Sequence, residues 1–266
     1  GGAVIDGTGG EPIAADVFVE DGRIREIGTI EAEDVARLDA SGMYVTPGFI
    51  DIHSHSDFTL LVDPRAVSQI SQGVTLEVVG NCGHGCAPIG DPVMARSNIY
   101  GSHAAVEIDW KTMAGYLDRL ESEAPAVNVA TLVANGNLRM AAVSDLSRPA
   151  NIDELRRMKA LLEEGLEAGA IGYSTGLEYD SEAACSEAEI IEMCRVTASA
   201  GGLYATHTRN EMGKAEEAVA EAIRAATAAN VSLQISHIST VARLQADGGP
   251  AVARALQQVD DARAGG

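Results

Sequence analysis

The chain has 266 residues, 46% of them hydrophobic but only 4% aromatic, so Val, Ile, Leu and Ala must fill its core. Its formal net charge is −20, with 39 acidic against 19 basic residues, which argues against nucleic acid as a partner because phosphate binding needs a positive face. No apolar run reaches bilayer length and no basic start leads into an apolar stretch, so neither a membrane span nor a signal peptide is expected.

The chain opens "GGAVIDGTGG" without Met, which leaves room for a native start upstream. Four cysteines, Cys82, Cys86, Cys185 and Cys194, are too few and too scattered for a disulfide framework, and a reducing, cytoplasmic setting is expected.

Residues 1–47 read as a small β-domain. "ADVFVEDGRIREIG" alternates apolar and polar residues about the turn signal Asp21-Gly22, the pattern of a β-hairpin. "ARLDASGMYVTPG" adds a further extended piece.

From residue 48 to 266 the rhythm changes to short apolar runs alternating with helical stretches. The runs are "YVTPGFIDIHSH", "GVTLEVVGNC", "AVNVATLVANGN", "GAIGYSTGL", "GGLYATHTRN" and "NVSLQISHIS". Helices are predicted near 64–72, 109–122, 151–168, 186–200, 212–229 and 248–264. The third of these carries clear signals: Asn151 as N-cap, Leu155, Met158, Leu161 and Leu162 on one face, and Gly169 at the end. Repeated strand–helix units imply parallel strands, six of the eight that a closed (β/α)8 TIM barrel requires.

The chemistry gathers where these runs end. Residues two apart in a strand share a face, so His53 and His55 project together from the end of the first barrel strand. Barrel enzymes keep their active sites at that end. Cys82, His207 and His237 close three further runs. Taken singly, each has a bland reading as a buried thiol or a carbonyl-bonded imidazole. Together, thiolate and imidazole suit Zn²⁺. Five candidate ligands exceed one four-coordinate site with an open position, so a binuclear centre is inferred, with Cys82 bridging it or beside a shared water.

His84, in a glycine-rich loop, and His103 read as structural or loop residues. Glu77 interrupts an apolar strand, where an unpaired carboxylate is costly, and is expected to pair with an Arg or a backbone donor.

The segments "PGFIDIHSHSD", "SQGVTLEVVGNCG", "GAIGYSTGLEY", "YATHTRNE" and "QISH" resemble the D-aminoacylases, the N-acyl-D-amino-acid deacylases of the amidohydrolase superfamily. The resemblance implies a zinc-dependent barrel with a β-sandwich built from both chain ends. It implies hydrolysis of a small-molecule N-acyl-D-amino acid to a carboxylate and a free D-amino acid. One tight zinc would be held by Cys82, His207 and His237, with His53 and His55 forming a second, weaker site, and Tyr179 would lie near the substrate.

The family's catalytic Asp ends the eighth strand and is expected beyond residue 266, so the chain reads as a fragment, inactive alone. Ala134-Asn135 stands where the family often has Gly-His, and Ile238-Ser239 where it has a His and a Lys. Two rivals remain: a cyclic-amide hydrolase of dihydroorotase or hydantoinase type, and a non-catalytic metal-binding scaffold of the same fold.

Overall fold

The computed structural model describes residues 1–104, 106–209, 214–238 and 248–265, the last stretch with side chains from 251 onward. The chain divides into two compact units, Gly1–Phe49 and Ile50–Gly266.

The first unit is a four-stranded sheet of β1 (Gly2–Val4), β2 (Ile13–Glu20), β3 (Arg23–Gly28) and β4 (Tyr44–Val45), in the order β3-β2-β1-β4. The predicted hairpin is present. Glu20 pairs with Arg23 across a two-residue loop. Both loop residues, Asp21 and Gly22, have positive φ, the backbone hand that a tight hairpin turn demands.

The second unit begins with β5 (Phe49–Asp51), α1 (Thr59–Val62), α2 (Val67–Ile70), β6 (Val74–Val79) and α3 (Pro92–Ser97). It continues through α4 (Met113–Glu123), β7 (Asn128–Ala134), α5 (Asn135–Ala142), α6 (Ile152–Glu167) and β8 (Gly172–Gly176). It ends with α7 (Glu187–Ser199), β9 (Leu203–His207), α8 (Ala215–Ala229), β10 (Ser232–Ile235) and α9 (Gly248–Gly265). The six strands lie side by side in chain order from β5 to β10, and the pairings from β6 through β10 are parallel. This curled sheet with intervening helices is part of a (β/α)8 TIM barrel, as the strand–helix rhythm predicts.

The helix signals hold where capping chemistry is strong. Asn151 accepts from the Asp153 and Glu154 amides while the Glu154 carboxylate accepts from the Asn151 amide, a complete capping box at the start of α6. The helix expected at 64–72 is reduced to the single turn α2, and a further single turn, α1, precedes it outside that range.

Two helices escape the sequence pattern. Asp91 caps α3, a helix too short to show a period. Helix α5 opens with Asn-Gly-Asn, poor helix formers, and is stabilised by burial instead. Within it Arg139 is fully buried, paired with Glu189 and donating to the Ser181 and Arg148 carbonyls.

Alternation along the strands separates two cores. Val133, Tyr173 and Tyr204 pack outward with Met158, Leu162 and Met193 of the helices. Val78, Leu132 and Ala205 form a smaller cluster on the opposite, barrel-filling face. At the β5 edge, Phe49, Ile50 and Ile52 remain 55%, 60% and 53% exposed. No helix among the described residues is long and apolar enough to cross a membrane.

Candidate metal centre

The site lies at the C-terminal ends of the barrel strands. β5 ends at Asp51, whose carboxylate accepts from the His53 amide, and His53 and His55 follow. Their rings stand edge to face with centroids 5.3 Å apart. β6 ends at Val79 and runs into Gly80-Asn81-Cys82-Gly83. His207 is the last residue of β9, and His237 lies just beyond β10.

The Cys82 Sγ lies 3.3 Å from His53 Nε2 and 3.3 Å from His237 Nε2. These three ligand atoms fall within 4.8 Å of one another. The His207 ring stands 4.6 Å from that of His237, and that of His53 5.0 Å from His237. The structure therefore brings all five sequence-predicted side chains into one cluster, but not as equals. Nε2 of His207 faces Glu178 Oε2 at 2.9 Å and stands outside the three-atom group.

The electrostatics fit a cation. Burial, reinforced by the Glu182 and Asp57 carboxylates, pushes the Cys82 thiol up to about 12. Burial and the neighbouring imidazoles His53, His84, His237 and His207 hold His55 down at about 4. His53 is lowered by burial first and then by His237, and His237 by burial first and then by His207. A cluster of neutral imidazoles around a thiol is a set of lone-pair donors, and a divalent ion overcomes the cost of ionising that thiol. The buried Nδ1 atoms of His55 and His207 have no partner among the described residues either. The donor set fits zinc: borderline imidazole nitrogen with thiolate sulfur.

Cys82 is held with unusual care. Its φ is +55°, the left-handed region that side chains rarely adopt. The loop is tied on both flanks. The Gly80 amide donates to Asp57 Oδ1 at 2.7 Å, and the Gly83 amide donates to Ser174 Oγ at 3.2 Å. The Gly83 carbonyl accepts from the Gly136 amide at 3.1 Å and from Asn98 Nδ2 at 3.0 Å. Asp57 and Glu182 are both buried, and burial pushes each up to about 7.

Glu77 departs from expectation in its partners. It is fully buried, and its Oε2 accepts from the hydroxyls of Ser54, at 2.9 Å, and Ser56, with no Arg or backbone donor among the described residues. Ser54 lies between the two histidines and Ser56 directly follows them, so Glu77 braces that loop.

Four residues beside the cluster carry no strong signal in the sequence. The Tyr100 ring stands 4.6 Å from both His55 and His84, tilted or edge-on to them, and its hydroxyl lies 3.4 Å from that of Tyr179. His84 stands 4.3 Å from Tyr179, with Nδ1 donating to the Asn98 carbonyl. Glu178 and Glu182 sit in the turn after β8, where the sequence offers an acidic, loop-like stretch with no period. Tyr179 itself is 5.0 Å from His207. Ile238 is half-buried, while Ser239 lies outside the described residues.

This arrangement of strand-end histidines with a loop cysteine has relatives. Residues 37–263 match the model of a family described as "Amidohydrolase family". The chain belongs to the amidohydrolase family.

An N-acyl-D-glutamate deacylase of Alcaligenes xylosoxydans xylosoxydans is 38% identical over 270 residues, covering 100% of this chain and 54% of that protein. A D-aminoacylase structure concerned with a binuclear metal center superposes with a TM-score of 0.88 at 37% identity, over 99% of this chain and 55% of that one. An N-acyl-D-glutamate deacylase from Bordetella bronchiseptica, complexed with zinc and a phosphonate mimic of the reaction's tetrahedral intermediate, gives 0.87 at 36% identity, over 100% and 55%. The chain spans about half the length of these relatives.

Proposed function

We propose that the protein to which this chain belongs is a zinc-dependent hydrolase that removes the acyl group from N-acyl-D-amino acids. The observation that carries the reading is one thiol and two imidazole nitrogens within 4.8 Å of one another at the strand ends of a barrel. Cys82, His207 and His237 would hold the tight zinc, and His53 and His55 would help form a weaker second site. In this reading the His207 ring, whose Nε2 faces Glu178 Oε2 at 2.9 Å, would offer a nitrogen to the metal. Zinc held there supplies Lewis acidity toward the amide carbonyl and a nucleophile at neutral pH.

The chain's own residues shape the rest. Burial raises the Tyr179 phenol above its ordinary value, so it stays protonated and is fitted to donate a hydrogen bond to the substrate. His84, Tyr100 and Tyr179 wall the side of the cluster nearest His55 and His207. The resemblance implies a proton-transfer carboxylate at the end of an eighth strand, which is not among the six described strands of this sheet. Residues 1–47 are read as part of a β-sandwich domain and 48–266 as part of the catalytic barrel.

The thiol at the heart of the cluster favours this reading over a cyclic-amide hydrolase, and metal content alone does not separate it from a scaffold. The deciding experiment is metal analysis and turnover of the full-length protein on N-acetyl-D-amino acids, their L-enantiomers and dihydroorotate. Zinc with D-selective release of free amino acid is expected. Zinc without amide hydrolysis would leave the scaffold reading, and turnover of the cyclic substrate the other.

A further inference from the structure

Glu182 is a carboxylate in an improbable place. It is fully buried, and no ion pair among the described residues includes it. Burying a carboxylate without a cation is costly, so a purely structural position would favour glutamine or an apolar side chain. What it touches gives a reason for its presence. Oε2 accepts from the Gly176 amide at 3.0 Å and from Asn135 Nδ2 at 2.8 Å. Oε1 has no hydrogen-bond partner among the described residues and stands hard against Gly83. A Cβ built on Gly83 would fall 1.6 Å from Oε1, and that residue's φ is +68°.

The same carboxylate anchors a turn. The Glu182 amide donates to the Tyr179 carbonyl at 2.8 Å, and the Tyr179 amide donates to the Gly176 carbonyl at 3.1 Å. Gly176 in turn backs directly onto the cysteine, since a Cβ there would lie 2.0 Å from the Cys82 carbonyl oxygen. Asn135 opens α5, whose next residue, Gly136, donates to the Gly83 carbonyl. Glu182 thus stands where three pieces meet: the Cys82–Gly83 loop, the end of β8 with its Tyr179 turn, and the first residue of α5.

We propose that Glu182 is a positioning residue for Cys82. It fixes the loop that carries the thiol against the turn that carries Tyr179, and so sets the direction in which sulfur is offered to the metal. Asn135 is its helper, holding the carboxylate from the α5 side. This rests on the reading of Cys82 as a zinc ligand. Such supporting contacts typically govern metal affinity by about 10–100-fold.

The test uses the full-length protein, with zinc affinity measured by chelator competition and the thiolate-to-cobalt charge-transfer band recorded after cobalt substitution. Glu182→Ala is expected to stay folded, to bind zinc about tenfold or more weakly, and to shift or weaken the cobalt band. Glu182→Gln keeps an acceptor for both N–H groups and is expected to lie much nearer wild type in both readouts. An unchanged affinity and band in folded Glu182→Ala overturns the proposal. So does a Glu182→Gln as impaired as the alanine variant, because charge and not the two hydrogen bonds would then matter.

If Glu182→Ala does not fold, Asn135→Ala decides. A weaker shift in the same direction supports the proposal, and none overturns it. If Cys82→Ala leaves zinc affinity and the cobalt band of the wild-type chain untouched, the parent reading has failed instead.

Discussion

The ends of β6 and β10 supply one of the two 3.3 Å thiol–imidazole contacts of the site, and they are built differently. The end of β6 is a shelf. Gly80, Asn81, Cys82 and Gly83 are all buried, and hydrogen bonds reach them from Asp57, Ser174, Gly136 and Asn98. The end of β10 lies on the outermost strand of the sheet, and His237 there is exposed with φ at +30°. Among the described residues its neighbour Ser236 is anchored by a backbone bond to the Thr206 carbonyl, while its buried hydroxyl has no partner. The contrast teaches where precision is stored. Cys82 holds its positive φ inside a surround that over-determines it, whereas His237, also at positive φ, has fewer such contacts among the described residues.

Removing each donor should break the comparison most visibly. Cys82→Ala is expected to weaken zinc binding in the full-length protein by on the order of a hundredfold or more, with the thermal melting of the metal-free form little changed. His237→Ala is expected to cost less, roughly tenfold. Equal losses, measured by chelator competition, would show that both ends contribute alike and that the shelf confers no advantage.

Crowding the shelf is the next sharpest test. Gly176→Ala places a methyl group 2.0 Å from the Cys82 carbonyl oxygen and 2.5 Å from the Tyr179 ring. It should cost about 3 kcal/mol or more in denaturant unfolding. Gly28→Ala, at the end of β3 with nothing within 4 Å, should stay within about 0.5 kcal/mol of wild type. A tolerated Gly176→Ala would mean that the Cys82 loop moves freely after all.

The smallest effect sets a baseline away from both ends. The Arg148 guanidinium and the Asn151 and Ser144 amides hold the Glu154 carboxyl far below the usual carboxylate range. A folded pKa lower than the unfolded one stabilises the protein above the ordinary carboxylate value, and the contribution is lost as pH falls below it. Glu154→Gln should therefore lower the melting temperature at neutral pH, with the gap to wild type closing as the solution is made acid. Zinc affinity should not change. A gap that widens toward low pH would contradict the sign.

Periodicity and capping made the barrel legible. Asp21-Gly22 announced a turn because only a few residue pairs tolerate its backbone hand. Asn151 with Glu154 announced a helix start because two side chains satisfy two orphan amides within four residues. His53 and His55 announced a shared face because a strand has a two-residue repeat. Each of these depends on neighbours in the chain, and sequence displays neighbours directly.

Tertiary structure alone decided the rest. That Cys82 meets His53 and His237, while His207 turns to Glu178, depends on side-chain directions set by contacts between residues 29 to 155 positions apart. Helix α5 forms because it is buried, against the propensity of its own first residues. Glu77 found two serine hydroxyls in place of an arginine, since the loop after β5 folds over it. Glu182 looked like one more acid in a polar turn, and became a buried post only when β6, α5 and β8 closed around it. Local chemistry fixes which residues can bear a role. Long-range packing selects which of them do, because the free energy of a buried polar contact exists only once both partners have left water.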